Sequence, residues 1–522
     1  MNDSFSSYNK ALLINGESKA TEAAKLREPF ETDKKDSFFA IIAYVLGFFF
    51  VRWVVFSSWQ GWGVTIFSIG YCFAVTMYII KKGFKIPRTG LFWLVMVLLT
   101  SISYSMYANN GLEPWRSLFL FCSAVYFVVC ATEQQILGKT SNLLIIDSIN
   151  ALFVIPFKNF SCQYKSISFT KNAKKGSGKQ FSSIALGLLL AIIIAGMVFP
   201  LLMRADSGGF SKIAHGTYEF YLLLQNQFMD IIFNMIIAIP MSAYIFGLVA
   251  GCVHKRYCRT FKEENLQQTA DSMRILTSIT IYTTLGAICG LYIVFVGTQI
   301  PYFFSAFAGR IPEGWQVYSE YARSGFFELC QIATINLSLL ILANHICKKT
   351  EKGYLKILNC VLSLLTLLLI ATAFSKMALY ISVYGLSIRR FLPCLFMIFL
   401  TVVFSAIIAL QKWQFSIMRL SLITAALMIC GFSLLNPDGF VANYNANRYL
   451  AGTLKDFDVT ILYQSGPAGV ESALKVYAET EDQALKAELE NYIEEQRLIS
   501  LSTSGKPSDN IQNMLIRKKF QL

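Results

Sequence analysis

Long apolar runs alternate with short polar segments from Phe38 to Leu435, and most of the runs reach 18 residues or more. A helix needs about 20 apolar residues to cross roughly 30 Å of hydrocarbon, and lipid leaves the backbone no water to bond, so the runs predict membrane-spanning helices. Eleven spans are predicted, at 38–56, 62–80, 90–107, 115–132, 181–203, 228–250, 276–305, 325–347, 357–380, 391–410 and 416–435. The expected fold is all-α, a polytopic integral membrane bundle of about 11 transmembrane helices. The pattern divides the chain into a polar tail (1–37), a four-helix membrane part (38–133), a basic loop (134–180), a seven-helix membrane part (181–435) and a second polar tail (436–522).

Charge then sets the orientation. The segments 1–37, 81–89, 134–180, 251–275, 348–356 and 411–415 carry 27 Lys+Arg, against 6 in the alternate segments before the second tail. Such asymmetry over short loops places the basic set, and the N-terminus, in the cytoplasm, and an odd number of spans puts 436–522 outside. The net charge of +14 therefore sits in loops facing anionic headgroups, so membrane lipids are the expected partner and nucleic acid is not. Span one, reached only after 37 polar residues, is expected to be an uncleaved signal anchor.

The polar regions carry weaker patterns. Residues 142–157 are apolar, too short to span and interrupted by Asp147; they are expected to lie along the inner interface, with a re-entrant helix as the alternative. In the second tail, Val470, Ala473, Leu474 and Tyr477 form one apolar stripe, and Leu485, Leu489, Tyr492 and Ile493 another behind a capping box beginning at Thr480. These predict a small helical domain docked on Val459–Tyr463 or on the membrane, with 503–522 frayed. Gly247–Gly251 and Gly286–Gly290 are G-x3-G pairs suited to close helix approach, and Pro240 is placed to kink its span.

Chemical motifs are sparse. Cys252, His254 and Cys258 match no common zinc spacing, and Gly176-Ser177-Gly178-Lys179 lacks the spacing of a phosphate loop, so no metal, cofactor or catalytic residue is assigned. The small polar residues Ser278, Thr280, Thr283 and Thr284 lie deeper than the charges, and no acidic group is placed at mid-span, which weighs against an ion-coupled carrier.

Three segments exceed the needs of a generic span: Tyr321-Ala322-Arg323-Ser324-Gly325-Phe326-Phe327-Glu328-Leu329; Lys376–Ile381 with Tyr384-Gly385-Leu386 and Arg389; and Asn436-Pro437-Asp438 with Tyr444-Asn445 and Arg448-Tyr449. Over roughly residues 180–490 the chain resembles a bacterial family of multi-pass membrane proteins catalogued as a domain of unknown function. The resemblance implies a bacterial cytoplasmic membrane, a helical bundle and an exported tail, and brings no activity. The topology puts all three segments on the outer side, so Arg323, Glu328, Lys376, Arg389, Asp438 and Arg448 form a candidate polar cluster. Either they pair off, Glu328 with Lys376 and Asp438 with an Arg, and clamp the tail, or they line a pocket for an anionic ligand.

Three function classes follow: a non-enzymatic scaffold or sensory component of the envelope whose tail contacts a protein partner, a permease or lipid flippase, and a transferase acting on a lipid carrier through Glu328 or Asp438.

Overall fold

The computed structural model describes residues 30–57, 61–108, 111–141, 143–169, 227–258, 277–307, 326–346 and 353–521, with isolated positions between 183 and 198. Helix accounts for 82%, and no strand occurs among the described residues. Ten of the described helices are long and apolar enough to span a membrane. They are α1 (Lys34–Phe50, prolonged by a π turn Val51–Val55), α2 (Trp62–Lys81), α3 (Arg88–Met106), α4 (Glu113–Ala131), α8 (Gln227–Val253), α9 (Ser278–Phe307), α10 (Phe326–Ile346), α11 (Gly353–Tyr384), α12 (Ile388–Leu410) and α13 (Ile417–Leu434). Each falls on a predicted span. The predicted span 181–203 lies outside the described residues, as does the Gly176–Lys179 motif.

The spans pack as two bundles. One core joins α1–α4 and α8, with Ala426 and Cys430 of α13. The other joins α9–α12. Helix α13 touches α12 on one side and α3 and α4 on the other, so it stands between them.

Between α4 and α8 lie the short helices α5 (Leu144–Ile149), α6 (Ile155–Lys158) and α7 (Cys162–Phe169), of which α6 and α7 pack against α8. Tyr244 donates to the Leu152 carbonyl (2.9 Å), and Gln163 donates to the Ala40 carbonyl (3.0 Å). The Pro156 carbonyl meets Gly247, about 9 Å along the helix from the end of α8 at 1.5 Å per residue. The segment thus reaches into the bundle while Ile145, Ile149 and Phe153 stay exposed.

The second tail is folded. Helices α14 (Pro437–Leu450), α15 (Thr460–Ser465), α16 (Val470–Glu479), α17 (Gln483–Thr503) and α18 (Ile511–Lys519) enclose a core of Ala442, Ala446, Val459, Leu462, Val470, Ala473, Leu485, Leu489 and Tyr492. Both predicted stripes face it. Two local expectations need correction. The cap of α17 is Asp482, whose carboxylate accepts the Ala484 and Leu485 N–H groups (2.9 and 3.3 Å), while the Thr480 hydroxyl meets that of Tyr449. Nor do the last residues fray: Asn510 caps α18, and Ile516 enters the core.

Candidate functional site

The face of the membrane domain that carries the tail is built from helix ends. Helix α11 stops at Gly385, which has φ +75° and lies so close to Asn445 that a Cβ would come within 2.6 Å of its Oδ1. This closeness lets one side chain act as a second backbone: Asn445 accepts the Leu386 N–H (2.7 Å) and donates to the Leu386 carbonyl (2.6 Å). Past Ile381, whose carbonyl accepts the Gly385 N–H (3.0 Å), the last carbonyls of α11 lie beyond the helical ladder, and together they carry the negative end of its dipole, so cations favour the position. Arg448 donates to Ile381 O (3.1 Å) and Ser382 O (2.8 Å), and Arg390 to Tyr384 O (2.8 Å) and Gly385 O (2.6 Å).

The same tail helix reaches the other bundle. Asn436, at φ +49°, caps α14 and turns Asp438 inward, where its buried carboxylate accepts the Gly111 N–H (3.2 Å) from the α3–α4 turn. Farther along, Trp62 and Gly63 donate from the backbone to Asp509 O (3.0 Å) and Pro507 O (2.7 Å), and Ala108 donates to Gln512 Oε1 (3.0 Å). Both flanks of the receiving turn are held together: the fully buried Arg116 stacks on Tyr104, 3.6 Å from the ring centroid, and donates to Ala108 O (2.7 Å) and Glu113 (2.8 Å).

The six residues chosen from sequence therefore separate. Asp438 and Arg448 share α14 and tie it to different bundles. Glu328, exposed in the first turn of α10, acts electrostatically on half-buried Lys376. Arg389 is exposed, and its neighbour Arg390 makes the helix-end contact. Arg323 lies outside the described residues.

On the opposite face stands a polar joint that the sequence did not reveal. The carboxylate of Asp36, fully buried, accepts from Tyr78 Oη (2.6 Å), Lys82 Nζ (2.7 Å), His254 Nε2 (3.1 Å) and the Asp33 N–H (3.0 Å), binding α1, α2 and α8. His254 is thus placed by Asp36 and by Phe30 (4.7 Å between ring centroids). No group of three or more His, Cys, Asp or Glu suited to a metal occurs among the described residues. Nearby, Asp147 accepts the Ile136 N–H through Oδ1 (2.8 Å), while Oδ2 is buried without a hydrogen-bond partner among the described residues; burial pushes the carboxyl up to about 6.

Inside the second bundle the polar side chains that bond between the described helices are neutral. Tyr292 donates to Asn336 Oδ1 (2.8 Å), Asn336 to Thr366 Oγ1 (2.9 Å), and Asn359 to Asn344 Oδ1 (3.1 Å), joining α9, α10 and α11. The Thr280, Thr283 and Thr284 stripe instead bonds within its own helix and is exposed. In the first bundle a groove of about 620 Å³ runs among Phe50, Val64, Tyr71, Tyr104, Phe121 and Tyr244 and is almost wholly apolar.

The second and third sequence segments behind the family resemblance thus meet at one joint, Gly385–Leu386 against Asn445 and Arg448. No curated protein and no solved structure matches the chain. A family model does, beginning in α3, earlier than the resemblance suggested, and running into α16: the chain belongs to the family described as "Domain of unknown function (DUF4153)", matched over residues 92–476.

Proposed function

We propose that the chain is a non-enzymatic scaffold or sensory component of the bacterial envelope, seated in the cytoplasmic membrane with its N-terminus inside and its tail outside. The basic asymmetry of 27 against 6 supports that orientation. The observation that carries the reading is the attachment of the tail: a domain with its own core bonds to one bundle through Asp438 and to the other through Asn445 and Arg448, so a partner held by the tail bears on both. The outward side of α16 and α17, with Glu479, Glu488, Glu490 and Glu494 exposed, suits a basic protein partner.

Changing these four glutamates to lysine is expected to abolish partner recovery by crosslinking in cells while membrane abundance stays unchanged. Undiminished recovery of the same partners contradicts the proposal. The apolar groove of the first bundle favours one second reading, a lipid flippase. Lipid movement in liposomes that survives the four changes and is lost when the groove is filled by Ser68→Trp supports that reading instead.

A further inference from the structure

The exposed side of the tail changes character along its length. No large apolar side chain is exposed between residues 464 and 497, where the outward positions include Glu471, Lys475, Glu488 and Glu490. Beyond them Leu498 (54%), Leu501 (41%), Met514 (49%) and Leu515 (59%) are all exposed. Met514 and Leu515 lie at i+3 and i+4 from exposed Ile511, on the side of α18 away from buried Gln512, Asn513 and Ile516. Apolar residues exposed at this helical spacing have no reason to face water.

The apolar stretch coincides with the attachment of the tail to the first bundle. The bonds of Pro507, Asp509 and Gln512 to Gly63, Trp62 and Ala108 fix the α17–α18 turn at the ends of α2 and α3, where hydrocarbon gives way to headgroups. Glu488, 15 positions before the end of α17, is about 22 Å from that turn at 1.5 Å per residue. At the same level the lipid-facing belt of the spans continues through Phe56, Trp115 and Leu118, which are exposed at the ends of α1 and α4. Lys506, Lys518 and Lys519 are exposed beside the apolar side chains, as in a helix lying in an anionic interface.

We propose that the α17–α18 facet is seated in the lipid monolayer on the tail side of the membrane, with Leu498, Leu501, Met514 and Leu515 at the acyl boundary and the three lysines on lipid phosphates. This holds whichever way the chain is oriented and does not depend on the scaffold reading. A photoreactive benzoylphenylalanine is placed at Leu515, at Leu498 or at Glu490 in the full-length chain. Each variant is reconstituted in liposomes of phosphatidylglycerol and phosphatidylethanolamine, illuminated, and weighed by intact-protein mass spectrometry. The expected result is a single-lipid adduct at Leu515 and Leu498 at least ten times more abundant than at Glu490. Adducts to a second copy of the chain without lipid, equal lipid adducts at all three positions, or no adduct at Leu515 and Leu498 overturns the proposal.

Discussion

Helices α8 and α9 are both long and apolar, and each carries a G-x3-G pair, yet 78% of the α8 span is buried within the protein against 17% of the α9 span. The glycines show why. On α8, a Cβ at Gly247 would lie 2.5 Å from the Pro156 carbonyl and one at Gly251 2.5 Å from Asn159 Nδ2, so the missing side chains admit the α6 segment. On α9, Gly286 and Gly290 meet nothing within 4 Å among the described residues, so none of these helices makes there the close approach the pair predicts. Hydropathy places a helix in the membrane. Its depth in the protein depends on what a neighbour presents to its small residues.

The sharpest way to break this comparison is to fill both seams. Gly247→Leu is expected to lower stability in detergent by about 2–4 kcal/mol, because the obstacle is backbone and cannot rotate away, whereas Gly286→Leu changes it by less than about 1 kcal/mol. Thermal unfolding of the purified variants measures both, and equal losses dissolve the distinction.

The bundles also differ in their polar ties, charged at the end of the first and neutral inside the second. Asp36→Leu takes the shared carboxylate from Tyr78, Lys82 and His254, leaving Lys82 only its ion pair with Asp33 (2.9 Å), and is expected to cost about 2–3 kcal/mol; Asn336→Leu removes neutral bonds and is expected to cost about 1–2 kcal/mol. A chemical-denaturation series that reverses this order contradicts the account.

Asp147 sharpens the picture through pH. Burial raises its carboxyl from 3.8 to about 6, so the folded chain holds the proton more tightly than the unfolded one. The resulting penalty is absent below the ordinary aspartate value, grows as pH rises toward 6, and is complete above it. Asp147→Asn is therefore expected to stabilise by about 1–2 kcal/mol near pH 7.5, with the gain shrinking as the pH falls toward 4; a gain independent of pH places the effect elsewhere.

The smallest effect concerns Glu328 and Lys376. Because Glu328 is exposed, a double-mutant cycle of Glu328→Gln and Lys376→Met is expected to show coupling below about 1 kcal/mol. A larger value means the pair is sequestered from solvent.

Span positions were legible because a 20-residue apolar run has few other fates, and both tail stripes were legible because their period matches a helix. The joints were harder to see. Asp36 shows locally only as the third residue of a capping box with Asp33, while its side-chain partners Tyr78 and His254 lie 42 and 218 residues away, where no local pattern points. Asn445 binds backbone 59 residues off, and backbone carries no sequence signature. Arg389 was chosen where Arg390 makes the contact, because a one-residue shift at a helix start rotates a side chain by about 100° and periodicity does not fix the start that closely.

Among the described residues, helix α13 and the tail join two such different bundles. Hydrogen exchange of the full-length chain, compared with Asn445→Leu in the same detergent, tests the part of the tail directly. Faster exchange is expected both at 384–388, where the Leu386 pairing is lost, and at 108–112, where Asp438 on the same helix loses its setting against Gly111. Unchanged exchange at both turns contradicts a tail that clamps the two bundles together.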